Sequence, residues 1–384
     1  GLLAQYYSAF GKYESSAEVF LTMVQNEPQK RSNYVEASNQ YYNAKQFDKS
    51  VEVLKQMQAE FGVEQESSTR LEFVYSAMGK KELAIAEMKE LVDTYPENVA
   101  YKGYYSETLM NAKKREEAIA VLNSILEQDS TVGKAYYALY NIYGEERNKT
   151  LALRYLEEAI KYDDLTHRQK MQSVGTFFEL INVDEEVRLS VERMINTLGI
   201  LYPEEVDTYV LLTDYYDLKG DTEQARESIQ KALQQDQSEF AFWRRLIGLN
   251  NKTGDYNQQI IDVEKALEIF PNLVRLYVTK AFAHIEQKDY AAAIQAADEG
   301  LEVATSKPDK AQLIQTKAEA YKEQENFSKS DELYEQVLAL NPYDPAALNN
   351  YAFSLANRKV QLEKADNVIS LAPKLLPTYL LFPL

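Results

Sequence analysis

The chain has 384 residues, and its 60 acidic residues outnumber the 42 basic ones to give a net charge of −18. An acidic surface repels phosphate backbones, so this charge disfavours general nucleic-acid binding and suits either solubility alone or a basic partner. The absence of cysteine excludes disulfides, thiolate zinc sites and cysteine nucleophiles. Because glycine (13) and proline (10) are sparse, long irregular loops are not expected, which favours an all-helical chain.

A position that is mostly occupied by a small residue recurs along the whole chain. It falls at Ser16, Ser50, Ala84, Ala118, Ala152, Val191, Ala225, Gln259, Ala293, Ser330 and Ala365. Seven of the ten successive intervals are 34 residues, and the others are 39, 37 and 35. A fixed period of this length is typical of a repeat protein. We call this site the small-residue position.

Three further positions keep the same register. Four residues after the small-residue position stands an apolar residue, from Phe20 to Ile369, and seven residues after it stands another apolar or small one, from Met23 to Ala372. Six of the ten prolines lie twelve residues after it. Offsets of zero, four and seven form one stripe on a helix. The small residue allows a neighbouring helix to approach, and the proline ends the helix.

A second amphipathic stretch precedes each small-residue position, and a short turn lies between the two. Several of these turns contain glycine, as at Gly79, Gly220 and Gly254. Glycine readily adopts the positive φ that ends a helix. Each unit is therefore predicted to be a helix, a tight turn and a second helix, so the chain is predicted to be all-α.

This unit resembles the tetratricopeptide repeat, whose pattern has matching residues at matching spacing. The best single match comprises Trp243, Leu246, Gly254, Tyr256, Val263, Ala266 and Pro271. The stretch Asn349-Asn350-Tyr351-Ala352 also resembles the opening of a repeat. The resemblance covers about eleven units and nearly the whole chain. It implies a right-handed α-solenoid of antiparallel helix pairs, the tetratricopeptide superhelix, that binds other proteins.

Departures from the period predict three blocks. Five extra residues fall near 163–171 and three near 304–310, where Ser306-Lys307-Pro308-Asp309 is interpreted as a loop. We expect repeats 1–5 in residues 1–164, repeats 6–9 in residues 165–306, and repeats 10–11 with an apolar C-terminal tail in residues 307–384. That tail is interpreted as the start of a further repeat in a longer protein, with a cover for the last apolar face or a partner-binding segment as alternatives.

The sequence offers little for catalysis. Its only histidines, His167 and His284, are too far apart in sequence to suggest a two-histidine metal site. His284 stands where the family packs a tyrosine, so core-edge packing is favoured there, and His167 is expected to be solvated in the 163–171 insertion. No phosphate-binding glycine loop, metalloprotease motif or nucleophile elbow occurs. We therefore predict no catalytic, cofactor or metal site, and interpret the chain as a non-enzyme.

The resemblance also implies where a partner binds, because the first helix of each tetratricopeptide repeat lines the concave face. At its inward-pointing positions, repeats 2–6 carry one aromatic each: Tyr42, Phe73, Tyr104, Tyr137 and Phe177. Aromatic rings pack on a peptide at modest entropic cost. The alternative is that these rings pack on neighbouring helices as part of the core.

The inward positions of repeats 7–9 are charged instead. They hold Asp207, Asp214 and Asp217, and then the bases Arg244, Arg245, Lys252 and Arg275. A basic cluster in an acidic protein suits an acidic peptide or a carboxylate. The alternative is mutual pairing with the aspartates one repeat earlier. The cluster does not match the carboxylate clamp of chaperone-binding family members, so chaperone-tail binding is not predicted.

Two functions follow from the sequence. The first is a scaffold or adaptor that binds a protein or peptide partner on its concave surface within a multiprotein assembly. The alternative is a non-catalytic region of a larger enzyme, and nucleic-acid binding is disfavoured by charge. In its Lys/Asn/Tyr-rich, cysteine-free style the chain is similar to tetratricopeptide proteins of the bacterial cell envelope, with the cytoplasm as the alternative compartment. No membrane-spanning segment is predicted, so membrane association would need a partner or a missing anchor.

Overall fold

A computed structural model of the protein describes residues 1–360 and 362–370. The chain divides into two units, Gly1–Leu201 and Tyr202–Leu384. Throughout the described residues the regular elements are helices, with no strand. The first unit contains α1 (Leu2–Ala9), α2 (Tyr13–Asn26), α3 (Arg31–Asn43), α4 (Phe47–Phe61), α5 (Gln65–Ala77), α6 (Lys81–Thr94), α7 (Val99–Asn111), α8 (Arg115–Gln128), α9 (Gly133–Glu145), α10 (Lys149–Ala159), α11 (His167–Gly175), a 3-10 turn (Phe178–Leu180) and α12 (Glu185–Leu201).

The second unit continues the series of helix pairs. It contains α13 (Val206–Lys219), α14 (Thr222–Gln235), α15 (Phe240–Thr253), α16 (Tyr256–Ile269), α17 (Val274–Glu286), α18 (Tyr290–Val303), α19 (Lys307–Glu323), α20 (Phe327–Leu340), α21 (Pro345–Asn357) and α22 (Leu362–Ser370). Within each unit, every helix packs against the next in sequence. The predicted all-α solenoid of consecutive helix pairs is confirmed, since each unit is built from them.

Close contact within a helix pair occurs at the small-residue position. In α2, the Ser16 hydroxyl donates to the Ala4 carbonyl oxygen of α1 at 2.8 Å. In α4, the Ser50 hydroxyl donates to the Ser38 carbonyl oxygen of α3 at 3.0 Å. A short side chain at this position lets the two backbones come this close. At Ser16 and Ser50 the small residue therefore allows the two helices of the pair to touch.

The stripe that follows this position forms the core. Every described residue four positions after it is buried, from Phe20 to Tyr334, and Leu54 and Ile195 have no exposed surface. The position seven residues after it is also tightly packed: a Cβ atom added to Gly300 would lie 2.6 Å from Leu313 Cδ2. The burial of these residues therefore confirms the predicted apolar stripe and its spacing from the small-residue position.

Aromatic side chains anchor the turns between repeats in the second unit. The Tyr209 and Tyr277 hydroxyls each donate to the carbonyl oxygen of a proline six residues earlier, Pro203 and Pro271, at 2.8 Å. The Trp243 indole N–H donates in the same way to the Gln237 carbonyl oxygen at 2.9 Å. These prolines end one repeat, and the aromatic residue of the next repeat holds the chain at that point.

In most pairs the turn between the two helices has a left-handed residue five positions before the small-residue position. Glycine occupies this site less often than the sequence suggested. Gly220 and Gly254 adopt this conformation at the ends of α13 and α15. The other left-handed residues are mostly charged: Lys45, Lys113, Arg147, Lys288, Glu325 and Lys359, with φ between 56° and 66°. The helix pairing therefore imposes this conformation even where the side chain disfavours it.

Two local predictions differ from the structure. Ser306-Lys307-Pro308-Asp309 is not a loop, because Ser306 caps α19 and its side chain accepts the Asp309 backbone N–H. Proline is compatible with the first turn of a helix, where no intrahelical partner is needed for its nitrogen. His167 is half-buried at the start of α11 rather than solvated. The three-block division stays a prediction.

The apolar tail, residues 371–384, lies outside the described residues. Among the helices that the structure describes, none has the length and apolar character needed to cross a membrane.

We predict that Ala118→Trp destabilises the first unit. Ala118 in α8 has no exposed surface and packs with Ile85 and Leu109, so an indole overpacks this contact at a cost of about 1–3 kcal/mol. The control is Ala120→Trp, two residues later on the same helix and exposed, which should change stability by less than about 0.5 kcal/mol. Urea unfolding followed by circular dichroism measures both. Equal effects of the two substitutions would contradict the register.

Candidate functional site

The aromatic candidates of α3 and α5 meet one another. The ring centroids of Tyr42 and Phe73 are 5.0 Å apart. Tyr42 also packs against the apolar core, whereas Phe73 is 56% exposed. Of this pair, only Phe73 therefore presents most of its ring to solvent, and Tyr42 supports it from the side.

The remaining aromatic candidates are less accessible. Tyr104 on α7 is 36% exposed. Tyr137 on α9 and Phe177, just after α11, both contact Tyr140, with centroid distances of 5.4 and 6.4 Å. Both side chains are half-buried. Their mutual packing agrees with the core alternative, so their role in binding stays a prediction.

A cleft of about 410 Å³ adjoins the Tyr42–Phe73 contact. We call it the aromatic cleft, and its lining includes Asn39, Gln40, Tyr42, Arg70 and Phe73. The Asn39 side-chain oxygen accepts a hydrogen bond from Arg70 Nη1 at 3.0 Å. This cleft therefore combines an exposed ring with amide and guanidinium groups.

In the second unit, two of the four basic candidates are paired. Arg245 on α15 forms an ion pair with Asp214 on α13. Lys252 forms another with Asp217, at 2.8 Å. For these two bases the mutual-pairing alternative holds, because aspartates one repeat earlier neutralise them.

Arg244 and Arg275 behave differently. Both are exposed, and neither side chain has a hydrogen-bond or ion-pair partner among the described residues. Both line one cleft of about 540 Å³ between α15, α16 and α17, which we call the arginine cleft. Phe240 and Phe282 also line it, and Glu286 is the acidic residue in its lining. The structure therefore brings two of the four basic candidates into a common cleft.

The sequence interpretation missed Gln259, which occupies a small-residue position. Gln259 lines the arginine cleft, is 4% exposed, and its buried side-chain oxygen has no hydrogen-bond partner. A buried acceptor without a donor is destabilising unless a ligand or water supplies one. The signal in the sequence was a long polar residue where the period calls for a small one.

Neither histidine lines the aromatic cleft or the arginine cleft. His284 lies on α17 but does not line the arginine cleft. Its Nδ1 is buried without a hydrogen-bond partner, and burial lowers the pKa of its imidazole below 6.5 despite the nearby Asp289 carboxylate. In the described part of the chain no group of three or more acidic or histidine side chains is arranged to hold a metal ion.

Comparison with known proteins identifies the repeat. A sequence model of the family described as Tetratricopeptide repeat matches residues 206–239 and 311–344. Each match spans 34 residues: the first contains α13 and α14, and the second covers most of α19 and all of α20. The chain therefore contains tetratricopeptide repeats. The same arrangement of paired helices recurs outside the matched residues.

Solved structures of MamA are similar to part of the chain. MamA from Desulfovibrio magneticus RS-1, from residue 41 to its end, is 16% identical, with 43% of this chain and 91% of that one covered and a TM-score of 0.35. A second structure, described as the crystal structure of MamA, is 18% identical, with 42% and 91% covered and a TM-score of 0.35. At these TM-scores the likeness supports no inference about function.

We predict that His284 makes stability depend on pH. Its pKa is lower in the folded chain than the value of 6.5 it has when unfolded, so the unfolded chain binds a proton first as pH falls. Stability should therefore decrease below pH 6.5 and level off below the folded pKa. His284→Gln should remove this part of the pH dependence of the thermal midpoint, while His167→Gln should keep it. An NMR titration that places the pKa of His284 at or above 6.5 would contradict the prediction.

Proposed function

We propose that this tetratricopeptide-repeat chain is a non-catalytic scaffold that binds an acidic segment of a partner protein in its arginine cleft, as part of a multiprotein assembly. The observation that carries the proposal is the pair Arg244 and Arg275. Both line one cleft, and neither has an acidic partner in the described residues. The repeat fold supports protein binding in general, and the cleft supports this particular site.

Arg244 differs from the other two bases of its own helix. The chain carries 18 more acidic than basic residues, so acidic partners are plentiful. Arg245 and Lys252, on the same helix as Arg244, are indeed paired. Two guanidinium groups left without carboxylates in such a protein offer charge-assisted, bidentate contacts to an incoming carboxylate.

The rest of the lining limits the kind of ligand. Phe240 and Phe282 offer apolar surface, so an apolar side chain beside the acidic one fits the cleft. The buried Gln259 oxygen requires a donor, which a backbone N–H of a peptide supplies. Glu286 in the lining disfavours a run of several acids. The preferred ligand is therefore an extended peptide with one acidic and one apolar side chain.

Nucleic acid fits this cleft poorly. The net charge of −18 repels a phosphate backbone over the length of a bound strand. Two arginines next to one glutamate supply too little positive charge to offset that repulsion. We therefore propose a protein partner and no nucleic-acid ligand.

We predict that Arg244→Ala and Arg275→Ala each weaken partner binding about tenfold or more, since a hydrogen bond to a charged group contributes roughly 1.5–3 kcal/mol. The partner is first identified by crosslinking and mass spectrometry in the source organism, and its affinity is then measured with purified proteins by titration calorimetry. Affinity should also fall as salt is raised.

The matched control is the double variant Arg245→Ala/Lys252→Ala, which removes two bases of the same helix that are already paired. It should keep the affinity within about threefold, because exposed ion pairs contribute little. The variant compared with it is Arg244→Ala/Arg275→Ala. If the two double variants lose affinity for the partner equally, or if Arg244→Ala/Arg275→Ala binds as well as the unaltered chain, the arginine cleft is not the binding site.

A further inference from the structure

The aromatic cleft in the first unit has two cross-helix contacts at one spacing. Asn39 on α3 contacts Arg70 on α5, and Tyr42 contacts Phe73, and both pairs are 31 residues apart. Because each residue of the second pair lies three positions after its counterpart in the first, α3 and α5 run in the same direction. The polar contact and the aromatic contact are therefore about 4.5 Å apart along the helices.

Two buried polar atoms in this cleft have no partner. The Gln40 side-chain oxygen is an unpaired acceptor, and Gln40 is 7% exposed. Arg70 Nε is an unpaired donor, although its terminal nitrogens contact Asn39 and Glu66. Rotation about the last side-chain torsion of Gln40 is easy, because this sp³–sp² torsion is broad, so its oxygen can turn to face a ligand.

An unpaired acceptor and an unpaired donor together match a peptide group. A peptide bond carries one N–H donor and one C=O acceptor. The ring of Phe73 beside them offers a face for a flat apolar side chain. Phe73 also lines a second cleft of about 340 Å³ towards α7, together with Thr108 and Asn111. An extended chain can therefore cross Phe73 from one cleft into the other.

The charges around Phe73 decide the flanking residues of such a ligand. Glu36 lines the aromatic cleft and Glu72 lines the second one. Neither carboxylate has an ion-pair partner among the described residues, although Glu72 accepts a hydrogen bond from Ser76. Arg70 is already paired with Glu66 at 3.4 Å. In the second cleft Lys81 stands beside Glu72 and donates to the Asn111 carbonyl oxygen at 3.3 Å, so that cleft has no net charge preference. The unpaired Glu36 therefore favours a basic flank on the side of the aromatic cleft.

We propose that the aromatic cleft is a second binding site, separate from the arginine cleft, for an extended peptide segment with an aromatic residue flanked by lysine or arginine. The aromatic side chain packs on Phe73, and the backbone N–H of that residue donates to Gln40. The carbonyl group accepts from Arg70, and a basic flank faces Glu36. The two clefts thus prefer peptides of opposite charge.

The test uses the 384-residue chain and an array of short peptides with a central Phe or Ala and flanks of Lys, Ser or Glu. Binding should favour the Lys-flanked Phe peptides, and their affinity is then measured by fluorescence anisotropy. Phe73→Ala should lower it about tenfold. Absence of binding, or equal binding of Glu-flanked and Lys-flanked peptides, would overturn the proposal.

Gln40→Leu separates a binding role from a structural one. It removes an unpaired buried acceptor while keeping most of the side-chain volume, so the thermal midpoint should stay the same or rise, while peptide affinity falls about tenfold. N-methylation of the central Phe of the peptide should weaken binding to the unaltered chain but cause no further loss in Gln40→Leu. Independent, additive losses would contradict the proposed hydrogen bond.

Two controls complete the design. Phe10→Ala removes a ring that is 66% exposed on the chain segment after α1, outside the cleft, and should leave affinity unchanged. Arg244→Ala/Arg275→Ala should also leave it unchanged, so that failure of this proposal is distinguishable from failure of the arginine cleft. If Phe10→Ala weakens binding as much as Phe73→Ala, the peptide is recognised by general apolar contact and the proposal fails.

Discussion

The structure depends on the contact that the two helices of each pair make at the small-residue position. Where Ser16 and Ser50 stand, a side-chain hydroxyl reaches the backbone of the first helix at 2.8 and 3.0 Å. Repeating this contact every 34 residues stacks the pairs into an array in which each pair mainly meets its neighbours. One side of each first helix then packs against the second helix, and another side remains available to a ligand.

Most of the unpaired polar groups of the two clefts lie on this free side of the first helices. Second-helix positions such as Leu54 and Ile195 are buried apolar residues, whereas the clefts beside the first helices hold Gln40, Arg244 and Arg275 without partners. Such groups are a cost to the folded chain unless a ligand pairs with them. The two units differ in charge at these clefts, which is the physical basis for proposing different ligands for each.

The period predicted the helix pairs, their turns and the buried stripe, because each of these depends on local spacing. It did not predict which bases are paired, since Arg244 and Arg245 are adjacent in sequence and only packing decides that Arg245 meets Asp214. It also missed Gln259 and Gln40, whose unpaired oxygens depend on what surrounds them in space. The loop prediction for Ser306–Asp309 is wrong because proline also fits the first turn of a helix, as it does in α19.

The most direct test of the account is site-specific photocrosslinking in the second unit. Because the chain has no cysteine, a cysteine introduced at Asn251, which lines the arginine cleft, or at Glu268, exposed on the following helix, carries a benzophenone at one defined place. Against the partner protein, the account predicts crosslinks from position 251 that disappear in Arg244→Ala/Arg275→Ala, and few from position 268. Crosslinks mainly from position 268 would show that the partner binds the second helices and would contradict it.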